Sequence, residues 1–220
     1  MTQELIRILI VDDHPVVRQG LQALLSTESG LQVVGEASDG GEAINAVASL
    51  HPDVVLMDLV MPGVDGVEAT REIVARFPDS SVLVITSFGS DAMLFPAIKA
   101  GALGFLMKDA SPGELILAIK QVARGQSSLH PSVARRLLQE FAHEPSDRTG
   151  LLESLTERET EVLRELAHGL SNEDIAKRLF ISAATVRTHV SSIFSKLDVH
   201  SRTQAALWAI KHGIVTLGDG

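Results

Sequence analysis

Over its first 125 positions the chain alternates short apolar runs with stretches whose apolar residues recur every three or four places. Runs at 7–11, 33–37, 54–57, 81–86 and 104–107 predict β-strands. The run from Val54 to Met57 is apolar at every position, as a strand buried on both faces should be. Between the runs, Val16, Val17, Leu21, Leu24 and Leu25 set a helical stripe, and Pro15 suits the first helical position. Further helices are expected over 40–50, 64–77 and 91–100. Leu115, Ile119, Val122 and Ala123 mark a closing helix with Pro112 near its start.

Strands alternating with helices predict a parallel sheet with crossover helices. Five of each within residues 1–125 predict a flavodoxin-like, doubly wound α/β domain with a five-stranded sheet. Residues 126–150 are polar and punctuated by Pro131, Pro145 and Gly150, which reads as an interdomain linker with a short helix over 132–141. From 151 to 216 the pattern is helical throughout. Thr156 with Glu159 forms a capping box ahead of Val162, Leu163 and Leu166. Ser171 with Asp174 opens a second helix, Ser182 caps a third, and Ser201 with Gln204 boxes a fourth that Gly213 ends. The second domain is thus expected to be a small all-α four-helix bundle whose second and third helices are spaced as a helix-turn-helix.

Charge separates the two halves. Of the net charge of −9, residues 1–125 carry −8, with 8 Lys/Arg against 16 Asp/Glu. Residues 175–211 reverse the bias, with 6 basic residues and one acid, Asp198. A basic stretch in an acidic chain is where nucleic acid would bind. No apolar run approaches the roughly 18 residues of a membrane span. Residues 1–6 carry an acid ahead of a short strand, which predicts no signal peptide. The absence of cysteine excludes disulfides and thiolate metal sites and fits a cytoplasmic location.

The ends of the predicted strands carry the chemistry. Asp12 and Asp13 close the first, Asp58 the third, Thr86 the fourth and Lys108 the fifth. Strands of a parallel sheet end on one edge, where ligands of open α/β sheets bind. Three carboxylates meeting there repel each other unless a cation joins them. Oxygen ligands at an open, hydrated site suit Mg²⁺ (or Mn²⁺). Aspartate can act as a nucleophile toward phosphorus, and phosphoryl transfer needs positioning and charge neutralisation above all. Asp58 is therefore expected to be attacked, Asp12, Asp13 and Asp58 to hold the metal, Lys108 to pair with phosphoryl oxygens, and Thr86 to donate to the same group. His14 beside the acidic pair reads as pocket rim.

In the helical half, Val186, Val190, Ile193 and Leu197 fix the buried face of the third helix. Its other face then presents Arg187, Thr188, Ser191 and Ser195 to a major groove. Arg187 fits base readout, since its planar fork matches guanine O6 and N7. Thr188 and Ser191 suit hydrogen bonds or a thymine methyl; Thr185 and Lys196, nearer the edge, suit phosphates. His189 has no metal-spaced partner on its helix and reads as packing or a phosphate contact. Residues 205–210 are apolar at six consecutive positions, so that helix needs a second burial surface, with a second copy of itself as the candidate. Leu207, Trp208, Ile210 and Lys211 are the expected dimer residues, giving DNA binding at paired half-sites.

Val11-Asp12-Asp13-His14, Met57-Asp58-Leu59-Val60-Met61-Pro62-Gly63, Thr86-Ser87 and the segment Gly101 to Asp109 resemble a response-regulator receiver domain. Leu155 to Glu159, Gly169 to Ala176, Thr185 to Val190 and Lys196 to Val199 resemble a LuxR-type DNA-binding domain. Together they identify the chain as resembling the NarL/FixJ type of response regulator over nearly its whole length. The resemblance implies that Asp58 accepts a phosphoryl group from a phosphohistidine on a sensor histidine kinase. It also implies that the Val60 backbone carbonyl completes the Mg²⁺ site and that Thr86 and Phe105 are the switch pair. Phe105 stands where tyrosine is frequent, Asp109 where proline is frequent, and Ser191 where some relatives carry lysine.

The expected function is phosphorylation-controlled, sequence-specific DNA binding by a homodimer, without enzymatic turnover beyond self-phosphorylation from phosphodonors and slow autodephosphorylation. One alternative is a constitutive DNA-binding protein whose receiver serves only as a dimerisation module. A phosphatase with an aspartyl-phosphate intermediate is another, but Val60 stands where such enzymes keep a second carboxylate.

Overall fold

The computed structural model of the chain describes residues 5–87, 91–129, 155–199 and 201–215. Its first half is a parallel sheet of β1 (Ile6–Val11), β2 (Leu31–Ala37), β3 (Val54–Met57), β4 (Ser81–Thr86), β5 (Gly104–Met107) and β6 (Ser128–Leu129). The strand order is β2-β1-β3-β4-β5-β6. Helices α1 (Pro15–Ser26), α2 (Gly40–Leu50), α3 (Gly66–Arg76), α4 (Asp91–Ala100) and α5 (Pro112–Ala123) cross between the strands.

The uniformly apolar strands are explained by what covers them. Leu9, Val11, Val55, Met57, Val82 and Val84 face a cluster with Ala43 and Val47 of α2, Ile73 of α3, and Leu94 and Ile98 of α4. The alternate residues Ile8, Ile10, Val54, Leu56, Leu83 and Ile85 face Leu25 of α1 and Leu115, Ile119 and Val122 of α5. Side chains alternate across a strand, so helices on both faces leave no solvent-facing position in its middle.

The sheet has six strands where five were expected. The extra strand is two residues long and adds Ser128 and Leu129 in parallel register beside Gly104 and Phe105. Two residues carry no readable period, and the pairing comes from where α5 releases the chain, so pattern alone assigns them to the linker. Residues 130–150, including the helix expected over 132–141, lie outside the described residues.

The second half holds α6 (Glu157–Ala167), α7 (Asn172–Leu179), α8 (Ala183–Leu197) and α9 (Arg202–Lys211). They enclose Val162, Leu163, Leu166, Ile175, Val186, Ile193, Leu197, Ala205 and Trp208. Each expected N-cap residue accepts a backbone N–H. Thr156 and Glu159 form the reciprocal box, and Ser171, Ser182 and Ser201 accept the N–H groups of Asp174, Thr185 and Gln204. Arg202, buried by the bundle, donates to the Leu170 carbonyl and to Asn172 Oδ1 (3.2 Å), tying α9 to the start of α7. Burial pulls its guanidinium down to about 10.

The halves touch through α9 and α4. The Gln204 side chain reaches across, Nε2 donating to the Lys99 carbonyl at 2.9 Å. Ser127 Oγ and Thr203 Oγ1 lie 3.2 Å apart, and Leu207 joins the apolar cluster that holds Leu94, Ala97 and Ile98.

Candidate functional site

The sheet brings the predicted pocket residues together by register. Val11 pairs with Met57, so the next residues, Asp12 and Asp58, emerge side by side. Thr86 pairs with Met107, which puts Lys108 one step beyond. Between β1 and β3 the strand order reverses direction, the switch point at which open α/β sheets bind ligands.

Lys108 Nζ lies 2.6 Å from Asp12 Oδ2 and 2.7 Å from Asp58 Oδ2, bridging two carboxylates. Both acids are buried, at 2% and 4% exposure. Burial would lower Lys108, but its hydrogen bonds to Asp12 and Asp58 outweigh that and hold the ammonium above its ordinary value. The remaining oxygens are claimed by backbone: Asp58 Oδ1 accepts from Leu59 N at 2.8 Å, and Asp12 Oδ1 from His14 N at 2.8 Å. Asp13 is the exception. Its Oδ1 sits 2.6 Å from His14 Nδ1, yet this buried atom accepts no hydrogen bond. Ligand atoms of Asp12, Asp13, His14 and Asp58 all lie within 4.8 Å of one another. A hard divalent cation fits this set, whose donors are mostly carboxylate oxygens.

Thr86 is fully buried at the end of β4, and Phe105 on β5 is 4% exposed, within the cluster that also contains α4 residues. Val60, two residues past Asp58, is exposed. Every described peptide bond is trans, including the one after Lys108.

Two further residues shape the pocket wall: Gly66, which the sequence marks only as half of the Asp65-Gly66 step after Asp58, and Arg18, which its pattern leaves to solvent. Gly66 opens α3 so close under the Asp58 loop that a Cβ would collide with the Asp58 carbonyl oxygen and lie 2.7 Å from Leu59 Cα. The signal was the Asp65-Gly66 step at an N-cap. Arg18, one turn into α1, donates from Nη1 to the Asp12 backbone carbonyl (2.6 Å) and from Nε to Glu36 Oε2 (3.0 Å). It falls on the polar side of the α1 stripe, where helical period predicts solvent.

On α8, Val186, Ile193 and Leu197 are buried, and Thr185, Arg187, Thr188, Ser191 and Ser195 are exposed. The face expected to meet DNA is therefore the solvent face. Thr188 Oγ1 donates to the Ala184 carbonyl (3.2 Å), and Thr185 Oγ1 contacts Ser182 Oγ (2.8 Å). Lys196 is placed otherwise than a free phosphate contact: its Nζ lies 2.7 Å from Glu159 Oε2. Glu159 also accepts from Ser192 Oγ (2.5 Å) and from the Thr156 N–H (2.8 Å). Burial would raise this carboxyl; Lys196, Ser192 and Thr156 outweigh it and bring it down to about 2. The Thr156–Glu159 spacing in the sequence predicts only a capping role for Glu159. Of the expected dimer residues, Leu207 and Trp208 are buried, Ile210 is half-buried and Lys211 is exposed. Trp208 stacks on the His212 ring, centroids 3.9 Å apart.

No helix among the described residues is long and apolar enough to cross a membrane. Residues 8–120 match the response regulator receiver domain, and residues 153–209 match the luxR family of bacterial regulatory proteins. The chain is 44% identical over 211 residues to the transcriptional regulatory protein LiaR of Bacillus subtilis (strain 168), covering 96% of this chain and all of LiaR. Among solved structures it resembles the response regulator ChrA of a heme-sensing two-component system, at 40% identity and a TM-score of 0.52, covering 96% and 99% of the two chains. It also resembles RcsB, solved as two dimers bound to two parallel DNAs, at 30% identity and a TM-score of 0.56, covering 95% and 99%. With its acidic pocket at the sheet edge and its recognition-type helix in the second bundle, the chain belongs to the two-component response regulators of the NarL/FixJ type, a receiver domain joined to a LuxR-type helix-turn-helix domain.

Proposed function

We propose that Asp58 is the phosphoacceptor through which a sensor histidine kinase controls dimerisation and sequence-specific DNA binding by this regulator. The observation that carries the reading is the Lys108 ammonium held 2.6 and 2.7 Å from the buried carboxylates of Asp12 and Asp58. Nothing in the packing of a sheet requires two buried acids and a lysine at one edge, and such an arrangement costs stability unless it serves a ligand.

An Asp58 carboxylate oxygen attacks the phosphorus of a phosphohistidine; the P–O bond forms as the P–N bond breaks, and the departing imidazole nitrogen takes a proton from water. Lys108 then turns from the Asp58 carboxylate to the phosphoryl oxygens, and Thr86 donates its hydroxyl to the same group. Asp12, Asp13, Asp58 and the Val60 carbonyl would hold Mg²⁺, which neutralises charge on the transferring group. Thr86 ends β4 just before α4, and Phe105 packs in the cluster shared with α4. A shift of this pair is therefore passed to the helix that α9 rests on.

The α9 surface expected to pair with a second copy includes Leu207, which here packs in the receiver cluster. We infer that this contact is the resting state: the receiver covers part of the dimer helix until phosphorylation moves α4. Arg187, Thr188 and Ser191 then read base edges at paired half-sites, with Thr185 at the backbone.

The test is to incubate the chain with acetyl phosphate and Mg²⁺ and measure intact mass, with Asp58→Ala alongside. The expected result is a gain of one phosphoryl group in the wild type and none in the variant. An equal gain in both would sink the assignment of Asp58. Phosphorylation without any change in oligomeric state or operator affinity would favour a constitutive DNA-binding protein.

A further inference from the structure

We propose that Arg18 is a positioning residue for the acidic pair and that it sets the pocket's affinity for its divalent cation. The inference rests on the phosphoryl-pocket reading above. The turn from β1 into α1 carries both Asp12 and Asp13, and within it the Asp12 carboxylate accepts the His14 N–H at 2.8 Å. The N-cap residue, His14, makes no side-chain cap, and Pro15 at the first helical position supplies no N–H. The turn is held at one side by Asp12 N, which donates to the Ala37 carbonyl at 3.2 Å.

On the other side the fastening is Arg18. Its Nη1 donates at 2.6 Å to the carbonyl oxygen of Asp12, which belongs to the peptide unit joining the two acids. Its Nε is anchored at 3.0 Å by Glu36, which β1–β2 pairing places opposite Ile10, two residues before Asp12. The Arg18 side chain is 17% exposed and that of Glu36 33%, so the clasp is only partly shielded from competing water. Fixing that peptide plane fixes the angle between the Asp12 and Asp13 carboxylates, and outer partners that orient metal ligands ordinarily govern affinity in this way. The fork geometry matters: a guanidinium can serve a carbonyl and a carboxylate at once in fixed directions, and an ammonium on a flexible stem cannot hold both in plane.

A plain electrostatic role makes the opposite prediction. A cation beside a metal site repels the metal, so removing it, with Glu36 left behind, would tighten binding. The two roles therefore separate by sign.

The experiment uses the full chain as wild type, Arg18→Lys, Arg18→Met and Glu36→Gln. Mg²⁺ binding is measured by calorimetry, and acetyl-phosphate labelling of Asp58 by intact mass at saturating Mg²⁺. Positioning predicts Mg²⁺ affinity about tenfold weaker in both Arg18 variants and about threefold weaker in Glu36→Gln. It further predicts labelling at saturating Mg²⁺ close to that of the wild type. Tighter binding in Arg18→Met with wild-type affinity in Arg18→Lys would overturn the proposal, as would unchanged affinity in all three. Thermal melts without Mg²⁺ identify a variant that fails to fold; if Arg18→Met does, Arg18→Lys decides by the same criterion. If the wild type itself neither binds Mg²⁺ nor is labelled, the pocket reading fails and takes this inference with it. If the wild type does both and the variants match it, only the role of Arg18 falls.

Discussion

Each half of the molecule clasps a lysine ammonium to a buried carboxylate, and the two clasps differ in what they leave open. In the receiver, Lys108 joins Asp12 and Asp58, acids from two different strands that would repel without it, and beside them Asp13 Oδ1 accepts no hydrogen bond. In the second domain, Glu159 is saturated: Oε1 accepts from Ser192, and Oε2 from Lys196 and Thr156. A cluster of acids on an open edge, one of them half-exposed, is set up for a ligand, whereas an acid whose oxygens are all used inside a bundle holds helices together. The proposed working surface of the second domain is the exposed face of α8, away from its buried charge.

Exchanging the lysine in the first clasp should have the largest effect. Lys108→Met leaves two carboxylates facing each other, so the metal-free protein should melt lower, and Mg²⁺ should raise its melting point by more than it raises that of the wild type. Labelling of Asp58 by acetyl phosphate should fall about a hundredfold or more, the scale of losing one donor to a transition-state oxygen. Labelling at the wild-type rate would show that the bridge is packing, and the contrast between the clasps would collapse.

The second clasp should show up in stability. Glu159→Gln keeps the shape and removes the charge from Lys196 and Ser192, a loss of about 2 kcal/mol. Trp208, the single tryptophan, lies in the same core and reports unfolding of that domain by its emission. The pH dependence gives the sign. The folded carboxyl lies at about 2, below its ordinary 4.5, so its contribution is fully present above 4.5 and is lost as pH falls toward 2. The wild type should exceed Glu159→Gln in stability at pH 6, and the gap should close across that window. A gap unchanged down to pH 2 would mean the variant acts through packing.

The same contrast explains what could be read in advance. Asp58, Thr86 and Lys108 were legible because a parallel sheet collects strand ends at one edge however far apart they lie in sequence. Arg187 and Ser191 were legible because helical period assigns them a face once Val186 and Ile193 are buried. Arg18 was not, since it acts through a backbone carbonyl, and Gly66 showed only as half of the Asp65-Gly66 step, since it acts through the space it leaves empty. The β6 pairing and the Gln204–Lys99 contact escaped for a third reason: neither two residues nor one amide 105 positions from its acceptor leaves a periodic trace.

On the open face of α8, Arg187→Ala should weaken binding to the preferred operator by about 1–3 kcal/mol and relax the preference at a single base pair. Binding to unrelated DNA should weaken far less. A uniform loss across sequences, with a shallower salt dependence, would instead make Arg187 a phosphate contact.

The smallest expected effect lies where the halves meet. Gln204 was expected to close a capping box with Ser201, and only half of that box forms. Ser201 Oγ accepts the Gln204 backbone N–H, while the side-chain Nε2 donates to the Lys99 carbonyl on α4. Gln204→Ala therefore keeps the cap, because the backbone N–H remains, and removes the interdomain hydrogen bond. A neutral hydrogen bond contributes about 0.5–1.5 kcal/mol, so the closed state should lose roughly three- to tenfold in population relative to the open one. Unphosphorylated Gln204→Ala should then bind operator a few-fold more tightly than the wild type, and phosphorylated Gln204→Ala should match phosphorylated wild type, since the contact is already broken. Equal affinity before phosphorylation would show that α4 and α9 touch without regulating. Weaker affinity in both states would place Gln204 on the DNA-bound dimer, and the resting contact would then be a different one.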